Sequence, residues 1–327
     1  MLVSLFAIMR MAVSADIIEY STDDGFKYKL DTEAKTAELA KYYGSATAVS
    51  ISESVTYKGV VYSVTSLGAW CFENCSSLAS INIPSSVTSL GDHCFNWCPS
   101  LTSIVVDAGN SVYDSRETCN AVIETESNTM ICGCAGTVIP SSVTSLGEAC
   151  FYICSSLTSI NIPSSVTSLG KYCFAYCSSL TSINIPSSVT SLGEGCFYGC
   201  SSLASINIPS SVTSLGRFCF FGCSSLKTVT CEIPAPIGDN YIFTYAPINE
   251  ATLYVPEVSL NSYKTTLSWS DFGTILAIKS SGIETNTVGT SATVDAIYNL
   301  EGNRNGGIKS GMNILRMSNG TTRKIMK

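Results

Sequence analysis

Residues Ser188–Pro209 read SVTSLGEGCFYGCSSLASINIP. The stretch returns along the chain with little change. Its pentapeptide Val-Thr-Ser-Leu-Gly occurs six times, with leucines at Leu67, Leu90, Leu146, Leu169, Leu192 and Leu215. Four of the five intervals are 23 residues, and the fifth, Leu90 to Leu146, is 56, or two periods plus ten. A degenerate coil with an insertion around Asp107–Gly136 is expected there. A fixed period of this length points to a solenoid rather than to two ordinary domains.

Each coil can be read piece by piece. In Leu203–Pro209, Ile206 and Ile208 flank Asn207, the alternation of a short strand with two apolar residues inward and one amide outward. Pro209 ends it, having no N–H for the ladder. Ser210–Gly216 carries a second extended piece and a glycine that permits a turn. Arg217–Cys223 is too short for an isolated helix and reads as a helical or 3-10 turn on the side opposite the strand. One coil has six apolar anchors, too few to offset the ordering of 23 residues at about 1–2 kcal/mol each. Neighbouring coils must therefore stack, in register, and the ends must be capped.

Outward from the array, Phe26–Leu30 and Val60–Tyr62 read as strands of an N-terminal β cap over 16–62. The solenoid spans 63–233 with its irregular coil at 101–140, and 234–279 reads as a C-terminal cap containing the strand-like Ala251–Pro256. A Ser/Thr/Gly-rich linker follows at 280–293, then a small module at 294–327 in which Gly306-Gly307 fits a hairpin turn. The first fifteen residues read as a signal peptide, with an apolar Leu2–Met9 and small residues Val13-Ser14-Ala15 before Asp16. The competing reading is an apolar N-terminal strand.

Only 13% of residues are charged, while 45% are hydrophobic and mean hydropathy is +0.27. Every apolar run is short, so the apolar content belongs to many buried strands and no transmembrane span is expected. A net charge of −7 gives no electrostatic footprint for nucleic acid.

The motif I-P-S-S-V-T-S-L-G-x-x-C-F-x-x-C-S-S-L-x-S-I-N, as in Ile162–Asn184 and Ile185–Asn207, resembles the BspA-like leucine-rich repeats of bacterial surface proteins. The resemblance covers roughly Val60–Ile278. It implies a repeat solenoid of leucine-rich-repeat type, with short parallel strands on one face, short helical or 3-10 turns on the other, and β caps. The family carries Ala where this chain has Cys71, Cys94, Cys150, Cys173, Cys196 and Cys219. The tail, Ala296–Arg304, Gly311–Leu315 and Arg323–Lys327, looks like the C-terminal type IX sorting module of Bacteroidota. That likeness implies attachment at the outer-membrane surface. The family resemblance implies adhesion to host matrix, host cells or other bacteria.

Six C-x-x-x-C pairs, from Cys71/Cys75 to Cys219/Cys223, recur beside Cys119, Cys132, Cys134 and Cys231. Within a pair the Cβ vectors run parallel, which disfavours a disulfide, and the adjacent Phe implies a dry interior. Buried structural thiols are the leading expectation, ahead of some disulfides and then a metal site, with Cys132 and Cys134 the candidate exceptions. Neither metal nor cofactor is expected.

Comparing coils locates the freedom in the sequence: two slots before each Cys-Phe and two after it vary. The first slot reads Glu148, Lys171, Glu194, Arg217, an alternation suggesting ion pairs between coils. The other slots hold Trp70, Trp97, Tyr152, Tyr172, Tyr176, Tyr198, Phe218 and Phe221. These eight form a candidate recognition stripe, since large rigid side chains anchor interfaces; the competing reading is a satellite core on the convex side. An alternative surface is the strand face with Asn82, Asn161, Asn184 and Asn207, whose amides can bond a glycan, a peptide or one another. The lone histidine, His93, reads as a solvated surface group. Only two carboxylates converging among Asp107, Asp114, Glu117, Glu124 and Glu126 would suggest a hydrolase, so no enzyme is expected. The expected function is a surface or secreted binding protein for an extracellular protein or glycan. The alternative is a structural surface coat without a specific ligand.

Overall fold

In the computed structural model, the described residues are 16–238 and 241–278, together with four C-terminal strands. The expected signal at 1–15, the linker at 280–293 and the Gly306-Gly307 turn lie outside the described residues. The chain is a β-solenoid of about ten turns. It divides into two compact units between residues 276 and 277.

Each coil contributes two strand pieces and a turn. The Ile-Asn-Ile pieces stack in parallel: Ile183 lies beside Ile206, Ile206 beside Val229, and Val229 beside Leu253. Earlier in the chain Val49, Ile81 and Ile104 align in the same way. The Ser-Leu pieces form the second ladder, in which Leu146, Leu169, Leu192 and Leu215 are direct neighbours. The inward leucines and isoleucines are buried, apart from the half-buried Leu90 and Ile160, while the intervening Asn or Ser faces out or is half-buried, as a two-residue alternation dictates.

At the N-terminus, strands Ile17–Ser21, Phe26–Asp31 and Thr36–Tyr42 make an antiparallel meander. Its last strand pairs in parallel with Val60–Leu67, which pairs with Ser89–Leu90. At the other end the repeat frame runs past residue 233, where its sequence pattern fades. Phe220 and Gly222 donate backbone hydrogen bonds to Ile242 and Thr244, which places Phe243 where the other coils carry their phenylalanine. The second unit is a four-stranded antiparallel sheet in the order Arg304–Asn305, Val294–Tyr298, Met312–Met317, Thr322–Met326.

The Cys-Phe segment forms a succession of hydrogen-bonded turns and no continuous helix. Within one coil, Cys196, Tyr198 and Cys200 donate to carbonyls three residues back, while Gly195, Phe197 and Gly199 donate across to Arg217, Cys219 and Phe221. The alternation arises because the second and fourth variable slots are left-handed. Trp70, Asn74, His93, Trp97, Ala149, Ile153, Tyr172, Tyr176 and Phe218 all have φ between 52° and 63°. Gly195, Gly199 and Gly222 hold the same conformation. A left-handed residue every fourth position stops a helix from propagating.

The phenylalanines stack. Phe151, Phe174, Phe197, Phe220 and Phe243 lie 5.1–5.5 Å apart with planes within 11° of parallel. Phe72 and Phe95 form a separate pair at 5.6 Å. The core is likewise divided, one cluster running from Tyr28 to Cys134 and the other from Cys119 to Phe272. The dry interior implied by stacked coils is therefore not continuous along the array. The irregular coil spends its residues on a hairpin, Ala121–Glu124 with Thr129–Gly133, and supplies no Cys-Phe turn to join the two.

Candidate binding surface

All sixteen cysteines are free, and fourteen are buried; Cys132 and Cys154 are partly exposed. The second thiol of a pair has a defined task. Cys98, Cys177, Cys200 and Cys223 donate to the Phe72, Phe151, Phe174 and Phe197 carbonyls of the preceding coil at 3.1–3.2 Å. The thiol is a second donor to each carbonyl, which also accepts the N–H three residues on, from Cys75, Cys154, Cys177 or Cys200, and so fills the second lone pair. Burial pushes the Cys94, Cys154 and Cys200 thiols up to about 12, the reverse of an activated nucleophile. Among the described residues no cluster of three His, Cys, Asp or Glu side chains is placed to hold a metal.

The turn face carries the aromatic slots, and the rings touch from coil to coil. Trp70 meets His93 at 4.6 Å and His93 meets Tyr152 at 5.0 Å. Tyr152 continues to Tyr176 at 5.8 Å, Tyr176 to Tyr198 at 5.2 Å, and Tyr198 to Phe221 at 4.3 Å. Phe221 also contacts Phe218 and Tyr245. None of the eight candidates belongs to either buried core. Trp97 and Tyr176 are 53% and 42% exposed. Tyr172 lies apart from the ring chain and places its hydroxyl 3.3 Å from Glu194 Oε1. Gly195 and Gly199 make room for the stripe: a Cβ on them would come within 2.3 Å of the Tyr172 ring and 2.8 Å of the Tyr176 ring.

Two sequence expectations change here. His93 is not freely solvated; it is sandwiched between Trp70 and Tyr152, with its Nδ1 buried and without a partner. The proposed first-slot ion pairs do not form between Glu148, Lys171 and Glu194 among the described residues. Glu194 faces the Tyr172 hydroxyl instead, and the Arg217 guanidinium lies over the Phe218 and Tyr241 rings at 5.2 and 4.8 Å. Tyr241 and Tyr245 were missed because Ile242 replaces the cysteine that marks a coil.

On the strand face, Asn161 and Asn184 are exposed, while Asn82 donates to Asp107 at 3.0 Å and Asn207 to Glu232 at 3.4 Å. That face therefore offers a short uniform row rather than a continuous amide ladder. Of the insertion carboxylates, Asp114 is held by Arg116 and Thr125, and Glu124 by Ser127. None of the five lines the cavity of about 390 Å³ whose wall includes Asp92, His93, Asn96, Glu148 and Tyr152. Among the described residues no helix is long and apolar enough to cross a membrane.

The BspA type leucine rich repeat region matches residues 47–131 and 123–249 in six copies, and the chain belongs to that family. Among solved structures it is similar to a leucine rich cell surface protein from Faecalibacterium prausnitzii, at 23% identity over 79% of this chain and 72% of the other, TM-score 0.40. It is also similar to the pneumococcal vaccine antigen PcpA, at 16% identity over 81% and 99%, TM-score 0.49. A leucine-rich repeat protein from Bacteroides ovatus matches at 19% identity over 79% and 76%, TM-score 0.36. No curated protein matches the chain.

Proposed function

We propose that the protein is exported to the cell surface or secreted, and that it binds an extracellular protein or glycan, in adhesion, through the stripe from Trp70 to Tyr245. The observation that carries this reading is the conformation of the exposed and half-buried rings. Trp70, Trp97, Tyr172, Tyr176, Phe218 and Tyr245 sit at φ between 52° and 60°, in slots where other coils place glycine. A left-handed conformation costs an ordinary residue about 1–2 kcal/mol. Bulky rings held there, outside the core, sacrifice stability for a surface feature, as interaction sites do.

Family membership and the signal-like and sorting-like ends support the same reading, with 16–62 and 234–279 closing the array and 294–327 retaining it at the outer-membrane surface. The test is the purified chain on arrays of matrix proteins and glycans, beside a Trp97→Ser/Tyr176→Ser/Tyr245→Ser variant. Saturable binding lost in the variant is expected. A protein that retains no ligand above background, yet alters the envelope when deleted, is a surface coat and overturns the proposal. Proteolysis of intact cells checks export separately.

A further inference from the structure

The third coil omits one hydrogen-bonding peptide group on its turn face. Regular coils place four residues between the inward leucine and the phenylalanine, as between Leu146 and Phe151. Met130 pairs beside Leu146, and the Gly133 N–H makes the rung bond to the Cys150 carbonyl that a phenylalanine N–H makes elsewhere. Only Ile131 and Cys132 lie between them, so the first two variable slots are missing. In a complete coil those two slots share a peptide group that bonds on both sides. The Lys171 carbonyl accepts from the Ala149 N–H, and the Tyr172 N–H donates to the Glu194 carbonyl. The neighbours of the omitted group, the His93 N–H and the Glu148 carbonyl, have no backbone partner among the described residues. Such groups need a partner wherever water does not supply one.

The cavity of about 390 Å³ lies at this omission, with Asp92, His93, Glu148 and Ala149 in its wall, and its size is within the range of ligand sites, about 300–1,000 Å³. The wall is graded. Leu90, Phe95 and Ile131 are apolar and buried or half-buried. Asn96 beside them is 5% exposed, and its Nδ2 has no hydrogen-bond partner. Asp92 and Glu148 are exposed, and the half-buried rings of His93 and Tyr152 meet at 5.0 Å. A fitting ligand therefore brings a secondary amide, a small apolar group beside it and donors for two carboxylates, with no negative charge.

We infer that this cavity binds an N-acetylhexosamine residue of a neutral glycan. The inference rests on the surface-binding reading above and narrows its ligand to carbohydrate. The acetamido group is a planar trans amide, with acceptor and donor on opposite sides, like the peptide group it replaces. Its carbonyl accepts from the His93 N–H, and its N–H donates to the Glu148 carbonyl. The methyl group meets Leu90 and Ile131. Sugar hydroxyls both donate and accept: they donate to the Asp92 and Glu148 carboxylates, and one accepts from the Asn96 amide. The C–H face of the pyranose packs on the Tyr152 ring. Gly133 keeps its rung throughout.

The test is isothermal titration calorimetry of the purified full chain with N,N′,N″-triacetylchitotriose. Saturable binding is expected. Cellotriose, with hydroxyls in place of the acetamido groups, should be weaker by about tenfold or more, or 1.4 kcal/mol. A neutral N-glycan ending in N-acetylglucosamine and the cell-wall disaccharide of N-acetylglucosamine and N-acetylmuramic acid carry the same amide but differ in charge. The neutral glycan should bind, and the anionic disaccharide should be about tenfold weaker, repelled by Asp92 and Glu148. Inserting Lys-Gly between Ile131 and Cys132 restores the missing slots and should abolish binding without lowering the melting temperature. Glu148→Ala, at an exposed position, should weaken binding about threefold or more; if the insertion unfolds the chain, this variant and the cellotriose comparison decide. The Trp97→Ser/Tyr176→Ser/Tyr245→Ser variant alters no cavity residue and should keep the sugar. Equal binding of cellotriose or of the anionic disaccharide overturns the inference. So does full binding by the folded insertion variant or by Glu148→Ala, loss of the sugar in the stripe variant, or no saturation by about 10 mM sugar. A chain that ignores the sugar yet loses array binding in the stripe variant refutes the cavity and leaves the stripe standing.

Discussion

The regular coils from Val143 to Cys231 and the irregular coil at 101–140 obey the same strand alternation but treat the turn face differently. In the first region every coil supplies a phenylalanine and alternate backbone donors, every coil after the first adds a thiol donor, and the rings stack nearly parallel. In the second the chain is diverted into a hairpin, the ring stack stops, and the core separates into two clusters. The strand ladders stop at the insertion too: neither Ser89–Leu90 nor Ser103–Val106 pairs with a strand of the later sheets. The strands are held by backbone bonds that any sequence can make. The turn face depends on particular side chains recurring in every coil.

The largest expected effect, and one the two regions should share, is in alkali. Burial raises the Cys94, Cys154 and Cys200 thiols to about 12 and Cys119 and Cys231 to about 11, against an ordinary value of 9.0. Cys173, Cys177, Cys196 and Cys223 are raised further, also by burial first. The folded state keeps protons that the unfolded chain loses, so this stabilisation is whole below about pH 9 and disappears as pH climbs from 9 to 12 and beyond. Circular dichroism should show unfolding in that interval, and pulsed thiol labelling should find thiols of both regions exposed by it, Cys119, Cys132 and Cys134 of the irregular coil included, since burial raises these as well. Stability unchanged up to pH 11 would contradict the burial of these thiols.

Next in size, Phe197→Ala should cost about 3–5 kcal/mol, the range for a buried ring with neighbours on both sides. Phe95→Ala, beside the cavity and 9% exposed, should cost roughly half as much on the same cavity argument. Urea titrations of the two variants decide it, and equal losses would show that the break is closed in solution.

A smaller effect separates the thiols. Cys177→Ala leaves the Phe151 carbonyl with the Cys154 N–H alone and should cost about 0.5–1.5 kcal/mol, with Cys177→Ser milder because the hydroxyl can still donate. Cys154 follows the irregular coil, where no phenylalanine carbonyl awaits it, so Cys154→Ala should cost under about 1 kcal/mol on the same reasoning. Thermal melts of the three proteins measure the ordering. The smallest change runs the other way. Trp97→Gly relieves a left-handed tryptophan, 53% exposed, and should stabilise by about 1 kcal/mol while weakening any ligand held by the stripe.

The sequence alone determined the 23-residue period, the inward leucines and isoleucines, and the burial of the cysteines, because alternation along a strand and repetition between coils are local and survive in one dimension. It also located the rings by their variability. It did not disclose that the slots holding Trp70, Tyr172 and Tyr176 are left-handed, since glycine marks only Gly195, Gly199 and Gly222 among them. The pairing of His93 with Tyr152, fifty-nine residues later, and the cavity beside it were settled by tertiary structure. An insertion is visible as a number in the sequence, but which groups it leaves facing each other depends on where the displaced backbone goes.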